Sequence, residues 1–155
     1  MVPSVRALQP GDAGAARALV EEQLSGSRYE TRVLELLDAA IGDDDDECRA
    51  AVATAPDDQR VHGVVLFGTV AGAPGIVKIH ALVAAEHMVA RALVELTRHG
   101  CARSGGRMIV CELPDDRPFL VAARAMRELG AAEEGRVADF VSDGVDLLLL
   151  VWRSR

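Results

Sequence analysis

The chain has 155 residues, of which 50% are apolar and 26% charged, and its formal net charge is −7. This length and composition predict a single globular domain over residues 1–155 with one substantial core. We expect no membrane partner, because the longest uncharged apolar runs, such as Leu147–Trp152, are far shorter than the roughly 20 residues of a spanning helix. No basic segment followed by an apolar stretch opens the chain, so a secretory signal peptide is not expected either.

The charge balance argues against a nucleic-acid partner. The chain has 17 basic and 24 acidic residues, whereas binding to phosphates needs a basic surface. Its aromatic side chains are few and scattered along the sequence, so they predict no base-stacking platform.

The three cysteines predict neither a disulfide framework nor a metal site. They are odd in number and lack the spacing of metal ligands, and the histidines show no such spacing either. We therefore expect reduced, buried thiols at Cys48, Cys101 and Cys111 in a cytoplasmic protein, and no bound metal.

Turn and cap residues divide the first part of the chain into a strand, two helices and a second strand. Asp12 is a good N-cap for the first helix, and Gly26 can close it. Ser27 and Glu30 have the spacing of a capping box at the start of the second helix, which Gly42 ends. The predicted bounds are Val2–Leu8 and Cys48–Thr54 for the strands, and Asp12–Gln23 and Ser27–Ile41 for the helices.

The middle of the chain consists of loops and two long apolar strands. The charge run Asp43–Glu47 predicts a solvated loop before the strand at Cys48. Pro56–Asp58 and Gly72–Gly75 are turn sequences on either side of the strand Val61–Val70. Because so short a link joins that strand to the next one, Ile76–Val83, we expect the two to pair antiparallel.

The rest of the chain predicts two more helices and three strands. Glycine and proline turns separate these elements, and Asp143 followed by Gly144 favours a tight hairpin turn. The predicted bounds are Glu86–Arg103 and Phe119–Leu129 for the helices, Arg107–Leu113 for a strand, and Arg136–Arg153 for a hairpin bent at Ser142–Gly144. The element order β-α-α-β-β-β-α-β-α-β-β predicts an α/β (α+β) fold, with a mixed, mostly antiparallel sheet of about seven strands flanked by helices, about four in all.

The apolar run Leu147–Val151 predicts a terminal strand that is buried on both faces. A second subunit could supply part of that cover. The sequence therefore suggests a homodimer and leaves the oligomeric state open.

The junction between the strand Ile76–Val83 and the following helix is the best candidate for a functional site. A helix start presents unpaired N–H groups and the positive end of the helix dipole, so a strand that leads into a helix can seat a phosphate. Here the turn contains no glycine, and Glu86 places a negative charge where an anionic ligand would sit. The sequence therefore predicts a phosphate-binding position whose turn and charge are unfavourable to an anion.

Two stretches and the element order resemble the GNAT superfamily of N-acetyltransferases over almost the whole chain. Val5–Ala13 is similar to the family's opening strand and helix cap. Glu134–Arg136 and Asp139–Asp146 are similar to its closing hairpin. The resemblance implies a GNAT-like fold, acetyl-CoA as the cofactor, and acetyl transfer to an amine of a small molecule or of a protein.

The resemblance also implies where the pyrophosphate of acetyl-CoA would bind. Family members hold it with the backbone of a loop of the form Arg/Gln-x-x-Gly-x-Gly/Ala, and Met88, Val89 and Ala90 align with the last three positions. Only Ala90 fits, and the preceding loop is shortened by a few residues. We expect the side chains of Met88 and Val89 to obstruct the ligand.

Two further positions follow from the same resemblance. The backbone N–H groups of Leu82, Val83 and Ala84 would polarise the thioester carbonyl. Met126 stands where the family often has a tyrosine that protonates the departing thiolate, and methionine has no proton to give.

Acetyl transfer also needs a group that removes a proton from the amine. His80 is the leading candidate, because it lies in the strand where the family commonly has a carboxylate and because imidazole titrates near neutral pH. Strand alternation predicts that Lys78, His80 and Leu82 share one face. A half-buried histidine that hydrogen-bonds a neighbour is an equally good interpretation. Glu112 is a second candidate base, or else a solvated or ion-paired side chain.

Arg28 and Tyr29 are candidate substrate contacts. In the family the first two helices often border the acceptor pocket, so these residues would hold an acidic or aromatic part of a substrate. For Tyr29, packing on the neighbouring loop is the alternative.

The sequence is compatible with two functions. One is an acetyl-CoA-dependent N-acetyltransferase, or an enzyme with a phosphate-free acyl donor. The other is a non-catalytic GNAT-fold module that has lost acetyl-CoA binding and serves in dimerisation or partner binding. The second function is favoured by Glu86, Met88, Val89 and Met126.

Overall fold

The computed structural model describes residues 2–42, 46–57 and 60–154. In this part of the chain, seven strands form one sheet and four helices pack on its two faces. The strands are β1 (Ser4–Ala7), β2 (Arg49–Thr54), β3 (Val61–Val70), β4 (Ala73–Ala84), β5 (Met108–Pro114), β6 (Ala132–Ser142) and β7 (Val145–Arg153). The helices are α1 (Ala13–Leu24), α2 (Glu30–Gly42), α3 (His87–Arg103) and α4 (Leu120–Glu128). Short 3₁₀ turns at Pro10–Asp12 and Arg117–Phe119 precede α1 and α4.

The sheet is mixed, with the strand order β1-β2-β3-β4-β5-β7-β6. Among the described strands only β4 and β5 pair in parallel, and α3 is the crossover helix that a parallel pair needs. The order of helices and strands and the antiparallel pairing of β3 with β4 confirm the predictions.

Each face of the sheet carries its own apolar core. The core under α1 and α2 includes Val20, Leu37, Val64, Ala81 and Val83. The core under α3 and α4 includes Val65, Leu82, Leu93, Cys111 and Met126. Neighbours on one strand, such as Val64 and Val65, alternate between the two cores as the pleat requires.

The start of α1 differs from the predicted cap. The Asp12 side chain makes no capping hydrogen bond to α1. Its carboxylate instead accepts hydrogen bonds from the Arg6 guanidinium at 2.6 and 2.9 Å and from the Gln9 N–H at 2.8 Å. The reason is the 3₁₀ turn Pro10–Asp12, which turns the Asp12 side chain back over the residues before it.

The start of α2 also differs from the prediction, since the proposed reciprocal capping box of Ser27 and Glu30 is absent. The Glu30 carboxylate accepts a hydrogen bond from the Gly26 N–H at 3.0 Å, and the Ser27 hydroxyl accepts one from the Tyr29 N–H at 3.3 Å. The helix begins at Glu30 rather than at Ser27, and Gly26 adopts a φ of +72° that bends the chain ahead of it.

The hairpin β6–β7 turns at the predicted place, with Gly144 at a φ of +80°. Leu147–Val151 lies in β7, which is the last described strand of the chain, as predicted, and β7 lies inside the sheet between β5 and β6. β6 forms the edge of the sheet, and the β7 side chains of Leu148 and Leu150 are buried. The run therefore gives no reason to expect a second subunit, and the homodimer stays a prediction.

No helix within the described residues is long and apolar enough to cross a membrane. Residues 43–45 of the predicted solvated loop and residue 58 of the predicted turn lie outside the described residues. Asp46 and Glu47 form an exposed turn, in which the Asp46 carbonyl accepts a hydrogen bond from the Thr69 N–H at 2.8 Å.

Candidate functional site

The two parallel strands at the centre of the sheet separate part of the way along their length. Their pairing runs from Ile76 opposite Met108 to Ile79 opposite Cys111 and ends there. β4 then continues to Ala84 paired with β3, and β5 continues to Pro114 paired with β7. We call the space between residues 80–84 and 112–114 the β4–β5 opening. Backbone groups that face it have no sheet partner within the described strands, so they are available to a ligand.

A β-bulge in β4 marks the point where the opening begins. Leu66 pairs with Ala81, whereas the next residue of β3 pairs with Ile79, so His80 is an extra residue without a partner on β3. Bulges often occur beside functional sites because they redirect side chains.

The bulge overturns one sequence prediction. Leu82 packs in the core under α3 and α4, together with Ile79, whereas Ala81 packs in the core under α1 and α2. Lys78 and Leu82 therefore lie on opposite faces, because the extra residue shifts the alternation by one.

His80 is the first residue of β4 beyond the last pair with β5. Its ring is partly exposed, and Nε2 lies 2.8 Å from the carbonyl oxygen of Glu47. A carbonyl oxygen only accepts, so Nε2 carries the hydrogen, and Nδ1 of the neutral ring keeps the lone pair. The contact matches the predicted hydrogen bond to a neighbour, and it leaves the ring in a form that can accept a proton.

Glu112 is the corresponding first residue of β5 beyond the last pair. Its carboxylate lies 3.6 Å from the Lys78 ammonium, and its side chain is 53% exposed. The structure thus brings both candidate bases to the start of the opening, and the alternative of an ion-paired Glu112 is confirmed.

Tyr29 connects the start of α2 with the far end of the opening. Its hydroxyl donates a hydrogen bond of 2.6 Å to Asp116, and its ring packs edge-on against Phe119 with centroids 4.8 Å apart. The ring contacts both cores, one on each face of the sheet, and Asp116 follows β5. Burial raises the pKa of Tyr29 to about 12, and the hydrogen bond to Asp116 adds to the effect.

Arg28 lies beside Tyr29 and joins the same region to the hairpin. Its guanidinium donates a hydrogen bond of 3.2 Å to the carbonyl oxygen of Val141 in β6. The pair therefore borders the opening between α2, the turn after β5 and β6. Asp116 and Phe119 belong to this group as well, and the sequence analysis assigned neither of them a functional role.

At the other side of the opening, two residues link β4 to α3. Glu86 is exposed at the N-cap position and its side chain makes no capping hydrogen bond. Met88 is 57% exposed, whereas Val89 and Ala90 are 1% and 0% exposed. The expectation that Val89 obstructs a ligand is wrong, because its side chain points into the core, where Gly63 makes room for it.

Four charged or polar side chains join α3 to α4 next to this link. His87 Nε2 lies 2.6 Å from the Glu128 carboxylate, Arg124 lies 3.0 Å from it and Arg91 lies 3.7 Å from it. We call these residues the Glu128 cluster. Desolvation raises the pKa of Glu128, but hydrogen bonds from Arg124 and His87 outweigh it and hold the pKa below its usual range. The sequence analysis missed this cluster.

The remaining predicted residues lie in the cores. Met126 is 2% exposed, and Leu82 and Val83 are 1% and 3% exposed, so only the backbone of these two strand residues can contact a ligand. Cys111 is buried, and burial raises the pKa of its thiol to about 12, which suits the expected packing role. In the described part of the chain, no group of three possible ligands could hold a metal ion.

A cavity of about 550 Å³ lies away from the opening, under the second half of α3. Phe67, Val77, Leu96 and Cys101 contribute to its walls. None of the residues of the β4–β5 opening lines this cavity. The opening brings together polar side chains and unpaired backbone groups, which makes it the candidate site for a reaction.

A sheet that opens between two parallel strands, with the crossover helix beginning beside the opening, defines the class of α/β fold that the sequence resembles. The structure is similar to that of a GNAT-family protein from Desulfovibrio desulfuricans, with 22% identity, a TM-score of 0.78, and 97% of this chain and 98% of that chain covered. A protein from Salmonella typhimurium, solved with its cofactor acetyl-CoA, gives 14% identity, a TM-score of 0.74, and coverage of 99% and 94%. The aminoglycoside 6'-N-acetyltransferase from Enterococcus faecium gives 13% identity, a TM-score of 0.75, and coverage of 97% and 96%.

The chain has the fold of the GNAT superfamily of N-acetyltransferases, which confirms the fold predicted from the sequence. No family model and no curated protein matches the sequence.

Acetyl-CoA, which the Salmonella typhimurium neighbour binds, would meet different surroundings at its two ends in this chain. At the opening, unpaired backbone of β4 and two polar side chains suit a thioester and an amine. At the start of α3, exposed Glu86 opposes a diphosphate, and the groups that could hold one already contact Glu128. The thioester end fits, and the phosphate end fits only if the ligand displaces Glu128.

Proposed function

We propose that this protein transfers an acetyl group from acetyl-CoA to an amine. The separation of β4 from β5 after Ile79 and Cys111 is the observation that carries the proposal. It leaves alternate backbone N–H groups of β4 facing the opening, near two candidate bases, and acyl transfer to an amine needs both kinds of group. The GNAT fold supports the same reaction class.

Acetyl-CoA, when bound, supplies an acetyl group activated as a thioester. Backbone N–H groups of Leu82, Val83 and Ala84 that face the opening would donate to the carbonyl oxygen and stabilise the negative charge that develops on it. The side chains of Leu82 and Val83 are fixed in the cores, so this part of the backbone is held rigidly.

His80 would remove the proton from the amine. The Nε2 contact with Glu47 fixes the ring and leaves Nδ1 as the atom that accepts the proton. Glu112, which Lys78 holds at the start of the opening, is the second candidate for this step. Met126 cannot protonate the thiolate, so we assign that step to solvent.

The acceptor would lie between Arg28 and Tyr29 on one side and His80 on the other. We propose an amine of a small molecule or of a protein, as one structural neighbour acts on an aminoglycoside. The net charge of −7 would attract a cationic acceptor at long range. Three free thiols fit a cytoplasmic location.

A non-catalytic GNAT-fold module is the second candidate function. It is favoured by the start of α3, where Glu86 is exposed and Glu128 occupies the nearby hydrogen-bond donors. In that case the chain would use its fold to bind a partner or a second copy.

Calorimetric titration with acetyl-CoA and with CoA separates the two functions. The enzyme proposal predicts binding of both and acetyl transfer to at least one member of a panel of amines. Absence of heat and of any thermal shift at millimolar ligand would exclude the enzyme.

The His80→Ala variant tests the base. We expect its rate to fall and its pH–rate profile to change, because the group that accepts the proton from the amine is gone. His99→Ala is the matched control, because His99 is exposed on α3 and lies outside the opening. An unchanged pH profile in His80→Ala would exclude His80 as the base.

A further inference from the structure

The Glu128 cluster concentrates hydrogen-bond donors around one acceptor. The guanidinium groups of Arg91 and Arg124 and the Nε2–H of His87 all approach the same carboxylate. Arg91 has one further acidic partner, Glu95, at 3.8 Å. Without Glu128 the cluster would be a set of two guanidinium groups and one imidazole, with Glu95 near Arg91 and exposed Glu86 next to His87 in the chain.

These contacts are weak enough to exchange. The side chains of Glu128 and Arg91 are each 36% exposed, and that of Arg124 is 68% exposed. Ion pairs with this exposure contribute little to stability, because water screens them and two side chains must be ordered. A diphosphate carries more charge and more acceptor oxygens than one carboxylate, so it can compete for the same donors.

The imidazole of His87 has a second feature that a bound anion would use. Its Nδ1 is buried and has no hydrogen-bond partner among the described residues, so the Nε2 contact with Glu128 is what orients the ring. An anion that takes the position of the Glu128 carboxylate would therefore accept a hydrogen bond from Nε2 without a rotation of the ring. His87 is also the first residue of α3, three positions after the last residue of β4.

We propose that His87, Arg91 and Arg124 form a binding site for a diphosphate group, and that Glu128 is an internal competitor which the ligand must displace. The natural ligand in this proposal, the diphosphate of acetyl-CoA, rests on the proposed function. Side-chain donors then take the place of the backbone N–H groups that the family's glycine-containing loop supplies. Glu128 occupies these donors when no ligand is bound.

Titration with inorganic pyrophosphate tests the site without reference to catalysis. The Glu128→Gln variant should bind pyrophosphate about three- to tenfold more tightly than the unaltered chain, because the competing charge is gone. Glu95→Gln is the matched control. It also removes one negative charge, here from α3, and it takes away the ion-pair partner of Arg91, but it leaves Glu128 in place. Its affinity should change much less.

A double variant with the same net charge as the unaltered chain separates the loss of Glu128 from a change in overall charge. Adding Arg124→Gln to Glu128→Gln should abolish most of the gain in pyrophosphate affinity. Thermal unfolding of each variant checks that it folds, and all three positions are partly exposed.

The outcomes separate this proposal from the proposed function. Equal pyrophosphate affinity of Glu128→Gln and the unaltered chain, or an equal gain in Glu95→Gln, would overturn the diphosphate site whatever acetyl-CoA does. A specific gain for pyrophosphate with no binding of acetyl-CoA by either protein would support the site and count against the acetyltransferase. Tighter binding of both ligands by Glu128→Gln would support both.

Discussion

The hydroxyl of Tyr29 donates a hydrogen bond of 2.6 Å to the carboxylate of Asp116. This contact joins the residue before α2 to the turn after β5, and the two residues are far apart in the sequence. Because the ring of Tyr29 also packs against both cores, the side chain ties the two faces of the sheet together where β4 and β5 have separated.

The Tyr29 contact predicts a pH dependence of stability. In the unfolded chain Tyr29 ionises at its ordinary pKa of 10.0, whereas in the fold its pKa is about 12. Below the lower value both states keep the proton, so the stabilisation is fully present there. It is lost as pH rises from about 10 to about 12, because only the unfolded chain is ionised in that window.

Tyr29 is the single tyrosine of the chain, so ultraviolet titration reports it alone. We expect its midpoint near the higher value and a downward shift in Asp116→Asn. Tyr29→Phe should cost about 1 kcal/mol at neutral pH and lose the alkaline component of the stability curve. A midpoint at the ordinary value in the folded protein would contradict the contact.

The close approach of Gly63 to α3 predicts a steric coupling. A Cβ atom at Gly63 would lie 2.5 Å from Val89 Cγ1 and 2.8 Å from Leu93 Cδ1. We expect Gly63→Ala to lower the free energy of unfolding by about 1–3 kcal/mol, because the helix cannot move away without disturbing the core. Urea unfolding measures the effect.

Val89→Ala provides the matched test, because it removes the methyl groups that Gly63→Ala would meet. The double variant should be more stable than the sum of the two single effects predicts. Strict additivity would show that Val89 doesn't pack against Gly63.

The burial of the cysteines predicts their reactivity. Cys101 and Cys111 are 2% and 1% exposed, whereas Cys48 is partly exposed and its thiol donates to the carbonyl oxygen of Leu36 at 3.4 Å. A thiol reagent should modify one cysteine per native chain and all three after denaturation. In Cys48→Ser the native reaction should disappear; rapid modification of Cys111 would contradict its burial.

The element order was predictable because it depends on local signals. Long apolar runs between turn sequences predicted β3 and β4, and residues such as Gly26 and Gly144 marked turns that the structure contains. Side-chain caps were less predictable, since Asp12 and Ser27 have several backbone N–H groups within reach and a one-residue shift changes the partner.

The arrangement of the site was not predictable from local signals. The bulge at His80 depends on the register with β3, which no local pattern of β4 encodes. The contact of Tyr29 with Asp116 and that of His87 with Glu128 join residues from distant segments. A single sequence shows which residue types are present but not which of them the fold brings together.

A crystal structure determined with acetyl-CoA would show whether the β4–β5 opening binds the thioester. We expect the thioester in the opening, with its carbonyl oxygen at hydrogen-bond distance from a backbone N–H group of residues 82–84, and the Glu128 carboxylate turned away from His87. Acetyl-CoA bound elsewhere, for example in the cavity under α3, or an opening without ligand at saturating concentration would contradict it.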